Sequence, residues 1–451
     1  MDPIPRANAY PRHDPPPTVR RRAPGRFSIC IVRIQNALSS LTLGNSYKGI
    51  HKPHCLILIL THGPGMIGPI YTPCRWQTLL FTILYACLLM LGITAGYHRL
   101  WSHRSYNASL PLQYFLAILG AGAAQRDIEW WGYRHRAHHR YTDTDLDPYD
   151  GTRSLFHSHM GWLLFLPHHE LGGADISDLR NDPVVQWQRR HYAILVLLMS
   201  FVVPGIIPYL CWDESINGCI VFAIALRMCY IYHVTGSVNS LGHWLGEATY
   251  DDKKSPRNNF FIALFTHGDG YHNFHHQFPT DYRAAIKWYQ YDPTKWFIWT
   301  CQKLGLASSL KVFSENEIQK SELTMQLKKL KEKQDGISWP ASTGDLPVID
   351  WANFQAQSAT RPLIVIAGFI HDVSDFIDEH PGGSTLLARK IGQDATAAFF
   401  GGVYDHSNTA HNLLAMKRVG ILHGGVQPGL QEESTPPSQR LRITRYDEIT
   451  T

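Results

Sequence analysis

Apolar residues gather in separated runs along the first 240 positions, and their lengths set the architecture. Residues 76–96 (WQTLLFTILYACLLMLGITAG) carry no charge and match the roughly 20 residues that a membrane-spanning helix needs. Residues 192–212 and 216–237 read as two more spans joined by a short turn at Asp213 and Glu214. Residues 55–71 are apolar too, but Gly63, Pro64, Gly65, Gly68 and Pro69 interrupt them, which leaves this run a doubtful span. Residues 110–124 are apolar and short, as expected of an interfacial or re-entrant segment. The pattern predicts an all-α integral membrane helical bundle of about four transmembrane helices with a cytosolic cap.

Beyond the last run the pattern changes. The stretch AIKWYQYDPTKWFIWTC is aromatic and amphipathic, as at the headgroup level of a bilayer. Residues 315–334 are charged and helical in period, with Ile318, Leu323, Leu327 and Leu330 on one stripe. Gly336, Pro340, Gly344 and Pro347 mark a linker, and a compact second unit follows. The expected organisation is a disordered basic arm over 1–45, a membrane domain over 46–313, a charged helix and linker over 314–346, a small α+β domain over 347–425 and a disordered tail over 426–451.

Charge orients the spans. Arg20, Arg21, Arg22, Lys48 and Lys52 precede the first run, and Arg99, Arg104, Arg134, Arg136 and Arg140 follow the second, with Arg75 alone between them. By the positive-inside rule both flanks are cytosolic, and Lys253, Lys254 and Arg257 bring the chain back there after the Asp213/Glu214 turn. Arg227 and His233, inside the last run, must face protein or water.

Composition narrows the function. A net charge of +5, without a basic tract interleaved with aromatics, argues against a nucleic-acid partner. The eight cysteines form no CxxC pair and read as buried small hydrophobes. The arm lacks an apolar core with a cleavage site, so no secretory signal peptide is expected.

The histidines carry the chemistry. HRLWSH supplies His98 and His103, HRAHH supplies His135, His138 and His139, and HNFHH supplies His272, His275 and His276. Positions i, i+3 and i+4 share one helix face, so each HxxHH set can converge. Neutral imidazole is the commonest metal ligand, and eight exceed the needs of one ion. The set suits borderline divalent metals rather than calcium or magnesium, without separating iron from zinc. For these stretches to share metals they must lie on one side of the membrane, which keeps residues 110–124 from crossing it. The acidic YTDTDLDPY loop (Asp143, Asp145, Asp147) lacks the glycine and terminal glutamate of a calcium loop and reads as solvated. Trp130 and Trp131 are candidate lining for a channel beside the histidines.

In this order and spacing the three motifs resemble the membrane di-iron desaturases, and most nearly the fungal acyl-CoA Δ9 (stearoyl-CoA type) desaturases. The resemblance runs from about Leu41 to Lys333 and includes GITAGYHRLWSHRSYNASLPLQYFLA, HHRYTDTDLDPY, NDPVVQWQ and DYRAAIKWYQYDPTKWFIW. It implies a ninth ligand, His243 in VNSLGHWLG, and an asparagine that touches one metal through water, Asn239. It further implies two iron ions, O2 as oxidant, and a saturated fatty acyl-CoA as the substrate that gains a cis double bond. First-position His272 favours the Δ9 branch over front-end desaturases. The chain departs from relatives at Tyr133 and Arg134, where an arginine two residues before HRAHH is usual, and at Asp269, where GEG is usual.

Residues 371–383 read HDVSDFIDEHPGG, with His406 following in YDHSN. This resembles cytochrome b5, and the resemblance implies His380 and His406 as the two axial ligands of haem b, with His411 a weaker candidate for the second. Two imidazoles leave haem iron no open position and favour electron transfer over oxygen chemistry. The expectation is an acyl-CoA Δ9 desaturase with a fused haem electron donor. It is expected in the endoplasmic reticulum membrane, multi-pass, with the histidine site and both termini cytosolic, fed by an NADH-dependent cytochrome b5 reductase. The alternatives are a desaturase or hydroxylase of other regiochemistry and a catalytically impaired haem-binding homologue.

Overall fold

In the computed structural model, residues 47–168, 170–400 and 406–425 are described. The expected basic arm and the tail after 425 lie outside the described residues. The chain divides into two units near residue 326.

The first unit is a helical bundle. Helix α1 (Lys52–Tyr71) has Pro53 in its first turn, where proline's missing N–H costs nothing, and continues through Pro64 and Pro69. The doubtful run is thus a helix of 20 residues, about 30 Å long. Among the described residues three helices, α1 not among them, are long and apolar enough to cross a membrane: α2 (Trp76–Ser102), α5 (Pro183–Trp212) and α6 (Ile216–Trp244). Between them lie α3 (Leu110–Gly122) and α4 (Ile128–Tyr141). At 13 residues α3 spans about 20 Å, too little for a crossing. Two spans begin or end beyond their apolar runs. Asp182 caps α5 by accepting from the Val184 and Val185 amides, which starts the helix ahead of Arg189 and Arg190 and the apolar run that follows them. The end of α6 runs on past residue 237 and carries Asn239 and His243.

Small residues set the packing. A Cβ on Gly92 of α2 would meet the Gly120 amide nitrogen of α3 at 2.2 Å, so only glycine permits this crossing. Gly120 in turn lies under the Tyr97 ring. Gly92→Ala is expected to cost about 2–3 kcal/mol by overpacking, read as a fall of several degrees in the thermal midpoint of the solubilised protein. Arg227 is fully buried, as its position in a span demands. Its guanidinium donates to the carbonyls of Ala223, Ser200 and Gly122, joining three helices, and lies over the Tyr85 ring. At the turn between α5 and α6, Glu214 accepts from Thr78 Oγ1 at 2.6 Å and from the Arg75 amide, tying that turn to the start of α2. Two short antiparallel strand pairs, Tyr47–Ile50 with Phe165–Pro167 and Asn107–Ala108 with Ala307–Ser308, qualify the all-helical expectation.

Helix α9 (Glu315–Asp335) follows the short α7 (His272–Gln277) and α8 (Pro293–Lys303). Of its expected apolar stripe only Ile318 is buried, against Phe274 and Phe278, while Leu323, Leu327 and Leu330 are exposed. Met325, two turns further along the Ile318 face, is buried too, so the buried face differs from the expected stripe.

The second unit has a four-stranded sheet in the order Val348–Ile349, Arg418–Leu422, Phe369–Asp372, Leu363–Ile366. Alternation along Leu363–Ile366 explains its two cores. Leu363 and Val365 pack with Phe354, Ile370 and Leu422 on one face. Ile364 and Ile366 join Val373 and Ala395 on the other, beside an apolar cleft.

Candidate metal centre

The sequence places the histidine motifs on elements that converge. The last turns of α2, Gly92–Ser102, wind as a π-helix, and the His103 amide bonds the His98 carbonyl at 3.1 Å. That wider winding puts residues five apart on one face, so the HxxxxH spacing matches the local helix rather than an ordinary α-helix. The two rings lie 4.9 Å apart. Helix α4 brings His135, His138 and His139, the end of α6 brings His243, and α7 brings His272, His275 and His276.

All nine histidines fall into two groups. His98, His103, His135, His139 and His275 form one, and His138, His243, His272 and His276 form the other. Each HxxHH motif divides between them, because i and i+4 point one way and the intervening histidine the other. In the first group, Nε2 atoms of His98 and His275 are 2.9 Å apart, those of His103 and His135 2.8 Å, and those of His139 and His275 3.0 Å. In the second, His243 and His272 are separated by 3.1 Å and His272 and His276 by 3.0 Å. Ligands about 2.1 Å from a shared ion lie roughly 3 Å from one another, so this crowding is what a coordinated ion produces.

Several of the rings are held toward the neutral form that can ligate a metal. Burial first, and repulsion from neighbouring imidazoles second, hold His135, His139, His275 and His276 well below the usual histidine range, so they are neutral. Their partners direct the lone pairs. His138 Nδ1 donates to Asp147 Oδ1 at 2.8 Å, which leaves Nε2 to face its group. Ser255 Oγ gives its hydrogen to Asp143 and so accepts from His243 Nδ1 at 2.7 Å. Asp269 lies 3.4 Å from His98 Nδ1 and is held by Arg99, which also grips Asp292. With Nδ1 protonated, several Nε2 lone pairs face one another in a buried space, an arrangement that a cation between them relieves.

These carboxylates correct the sequence reading of the YTDTDLDPY loop as solvated. Asp147 is buried and Asp143 acts through Ser255, so two of its three acids orient imidazoles of the four-histidine group. The available signal was their place four to eight residues after HRAHH, on the turn that caps α4. Asp269, noted only as a departure, acts likewise on His98. Asp147→Ala is expected to cut metal affinity and turnover about 10–100-fold by freeing the His138 ring, with Asp147→Asn less severe because its carbonyl still accepts. Metal content and rate on the purified protein check this.

Two cavities meet at the first group. One is lined by Met90, Ile93, His98, Trp131, His135, Thr235 and Asn239. The other shares Trp131, His135, Thr235 and Asn239 and runs past Trp130, Tyr149, Trp162 and Tyr232. Asn239 therefore lines the channel beside His98 and His135. Both tryptophans singled out by the sequence line it too. At its polar end Arg126 and Arg134 lie over the Trp130 ring, at 5.3 and 5.5 Å, and Arg153 lines the adjoining cleft.

Residues 75–307 match the fatty acid desaturase family, which covers more than half of the chain. The chain belongs to that family. Residues 350–423 of this desaturase match the cytochrome b5-like heme/steroid binding domain. It is 44% identical over 387 residues to the probable acyl-CoA desaturase of Schizosaccharomyces pombe, covering 86% of this chain and 80% of the relative. It is 46% identical over 388 residues to acyl-CoA desaturase 1 of Saccharomyces cerevisiae, covering 84% and 75%. The delta(9)-fatty-acid desaturase fat-6 of Caenorhabditis elegans is 44% identical over 236 residues, 51% of this chain and 70% of the relative.

In the second unit of the desaturase, His380 and His406 both line the apolar cleft, with Ile364, Ile366, Val373, Leu387, Phe399 and Leu413. Residues 401–405, which precede His406, lie outside the described residues. The Nδ1 of each histidine bonds a main-chain oxygen, Gly383 O at 3.2 Å and Phe399 O at 2.9 Å, which leaves Nε2 of each as the atom that could ligate a metal. Gly383 adopts φ +93°, which explains the second glycine of HPGG. His411 instead packs edge-on against Phe399 and does not line the cleft. An apolar cleft lined by two imidazoles, each with Nδ1 tied to the main chain, suits a haem.

Proposed function

We propose that this protein is an acyl-CoA Δ9 desaturase whose nine histidines hold two iron ions, five on one and four on the other, and whose own haem domain feeds them electrons. The observation that carries the reading is the junction of the channel with the first histidine group at His98, His135 and Asn239. Iron bound there supplies the O2-dependent oxidation, in which two adjacent methylenes each lose a hydrogen. With two electrons and two protons added, O2 leaves as two waters.

The chain's own residues do the rest. Trp130, Trp131, Trp162 and Tyr232 enclose the acyl chain and exclude water. Arg126, Arg134 and Arg153 offer cations at the polar end, matched to the phosphates of a CoA headgroup. Arg134 fills this role although it stands one position from the usual arginine. Asn239 positions a water at the metal edge of the channel. Helices α1, α2, α5 and α6 supply four crossings of the endoplasmic reticulum membrane, with the histidine core and both termini on the cytosolic side by the distribution of arginine and lysine. An NADH-dependent cytochrome b5 reductase is the donor to the haem.

Expression in an unsaturated-fatty-acid auxotroph tests the proposal. Growth without supplement, with the new double bond at C9, is the expected result. Hydroxylated product or a different bond position would replace the regiochemistry, and failure of inserted, iron-loaded protein to rescue would contradict desaturation.

A further inference from the structure

Away from the nine-imidazole core, α1 and α6 bring together a third set of metal-ligating side chains. His62 comes from α1, and Cys229 and His233 stand one turn apart on α6, with ligand atoms within 4.8 Å of one another. Gly65 makes the approach possible: a Cβ there would meet the Ala225 carbonyl oxygen at 2.8 Å.

The surrounding hydrogen bonds assign the protons. Ser240 Oγ donates to the Gly236 carbonyl at 2.7 Å and so accepts from His159 Nδ1 at 2.8 Å. His159 Nε2 is then an acceptor, and it takes the Nδ1 hydrogen of His233 at 2.9 Å. That leaves the lone pair of His233 on Nε2. His62 Nδ1 lies 3.1 Å from the Leu58 carbonyl, which only accepts, so its lone pair is on Nε2 as well. Both Nε2 atoms are buried and meet no hydrogen-bond donor. Two buried lone pairs beside a thiol, each with its Nδ1 fixed by an outer partner, are how metal-ligating histidines are held. Left unfilled, they are costly.

We propose that His62, Cys229 and His233 bind a thiophilic metal ion, cuprous copper. The Cys229 thiol releases its proton on binding, and the thiolate balances the single charge of Cu(I) while both imidazoles remain neutral. Zinc in the same three ligands keeps one uncompensated positive charge, and the group contains no carboxylate to offset it. Between two apolar helices the neutral complex is favoured. One thiolate and two imidazoles also suit the softer ion. The site is separate from the iron reading above and stands without it.

The full-length protein, loaded with iron and haem, is titrated with Cu(I) under reducing conditions against a competing chelator. About one copper per chain is expected, with a thiolate-to-copper band in the near ultraviolet. Cys229→Ser, which changes little in size, and His62→Ala, on the other helix, are each expected to lose that copper and band while iron and haem contents stay unchanged. Wild-type protein that takes up no more copper than Cys229→Ser, a band that survives Cys229→Ser, or displacement of the copper by equimolar zinc would overturn the proposal.

Discussion

Replacing His272 with alanine is expected to abolish double-bond formation, by at least about 1,000-fold, while the haem spectrum is unchanged. His272 Nε2 is the atom shared between His243 and His276 in the four-histidine group, so its loss leaves that ion without its central ligand. The smaller group has no spare imidazole, unlike the five-histidine group. His191, exposed on α5 and bonded to the Trp187 carbonyl of its own helix, provides the control, and His191→Ala should leave turnover at the wild-type rate. Product analysis of purified protein and rescue of the auxotroph give the same ranking.

The second large effect lies in the other unit. His380→Ala or His406→Ala is expected to remove the haem absorption band and to reduce NADH-driven turnover to background, with non-haem iron unchanged. Each variant deletes one of the two imidazoles facing the cleft, and the surrounding Ile364, Ile366 and Leu387 offer no replacement donor. His411 cannot substitute, because it packs edge-on against Phe399 and does not itself line the cleft. Adding a separate, reducible b5 protein should restore part of the rate. A variant that kept both its haem band and its rate would refute the internal-donor role.

The sequence carried the metal centre further than its periodicity alone allowed. HxxHH on a helix announces three imidazoles on one face, but the division of each motif between two groups depends on α4 meeting α7, a contact between segments more than 130 residues apart. His243 illustrates the difference sharply. It is a lone histidine on no repeated spacing, and only its family resemblance marked it, whereas its place opposite His272 follows from α6 running past the apolar run. The acidic loop misled because Asp147 is polar and its neighbours suggest a turn. Burial against His138 is a tertiary event that composition cannot express. Likewise α1 is a continuous helix despite Pro64 and Pro69, since its glycines close on α6 and recover in packing what the prolines remove in hydrogen bonds. Charge patterning did better, because Arg227, inside an apolar run, had to face protein or water, and it is buried against main-chain carbonyls.

Non-haem iron counted per chain tests the central claim most directly. The measurement uses holoprotein whose haem iron has been subtracted from its absorption band. About two irons per chain are predicted for the wild type and about one for His272→Ala, since the five-histidine group remains intact. An active wild type holding one non-haem iron or fewer, or a His272→Ala protein still holding two, would contradict the division of nine histidines between two ions.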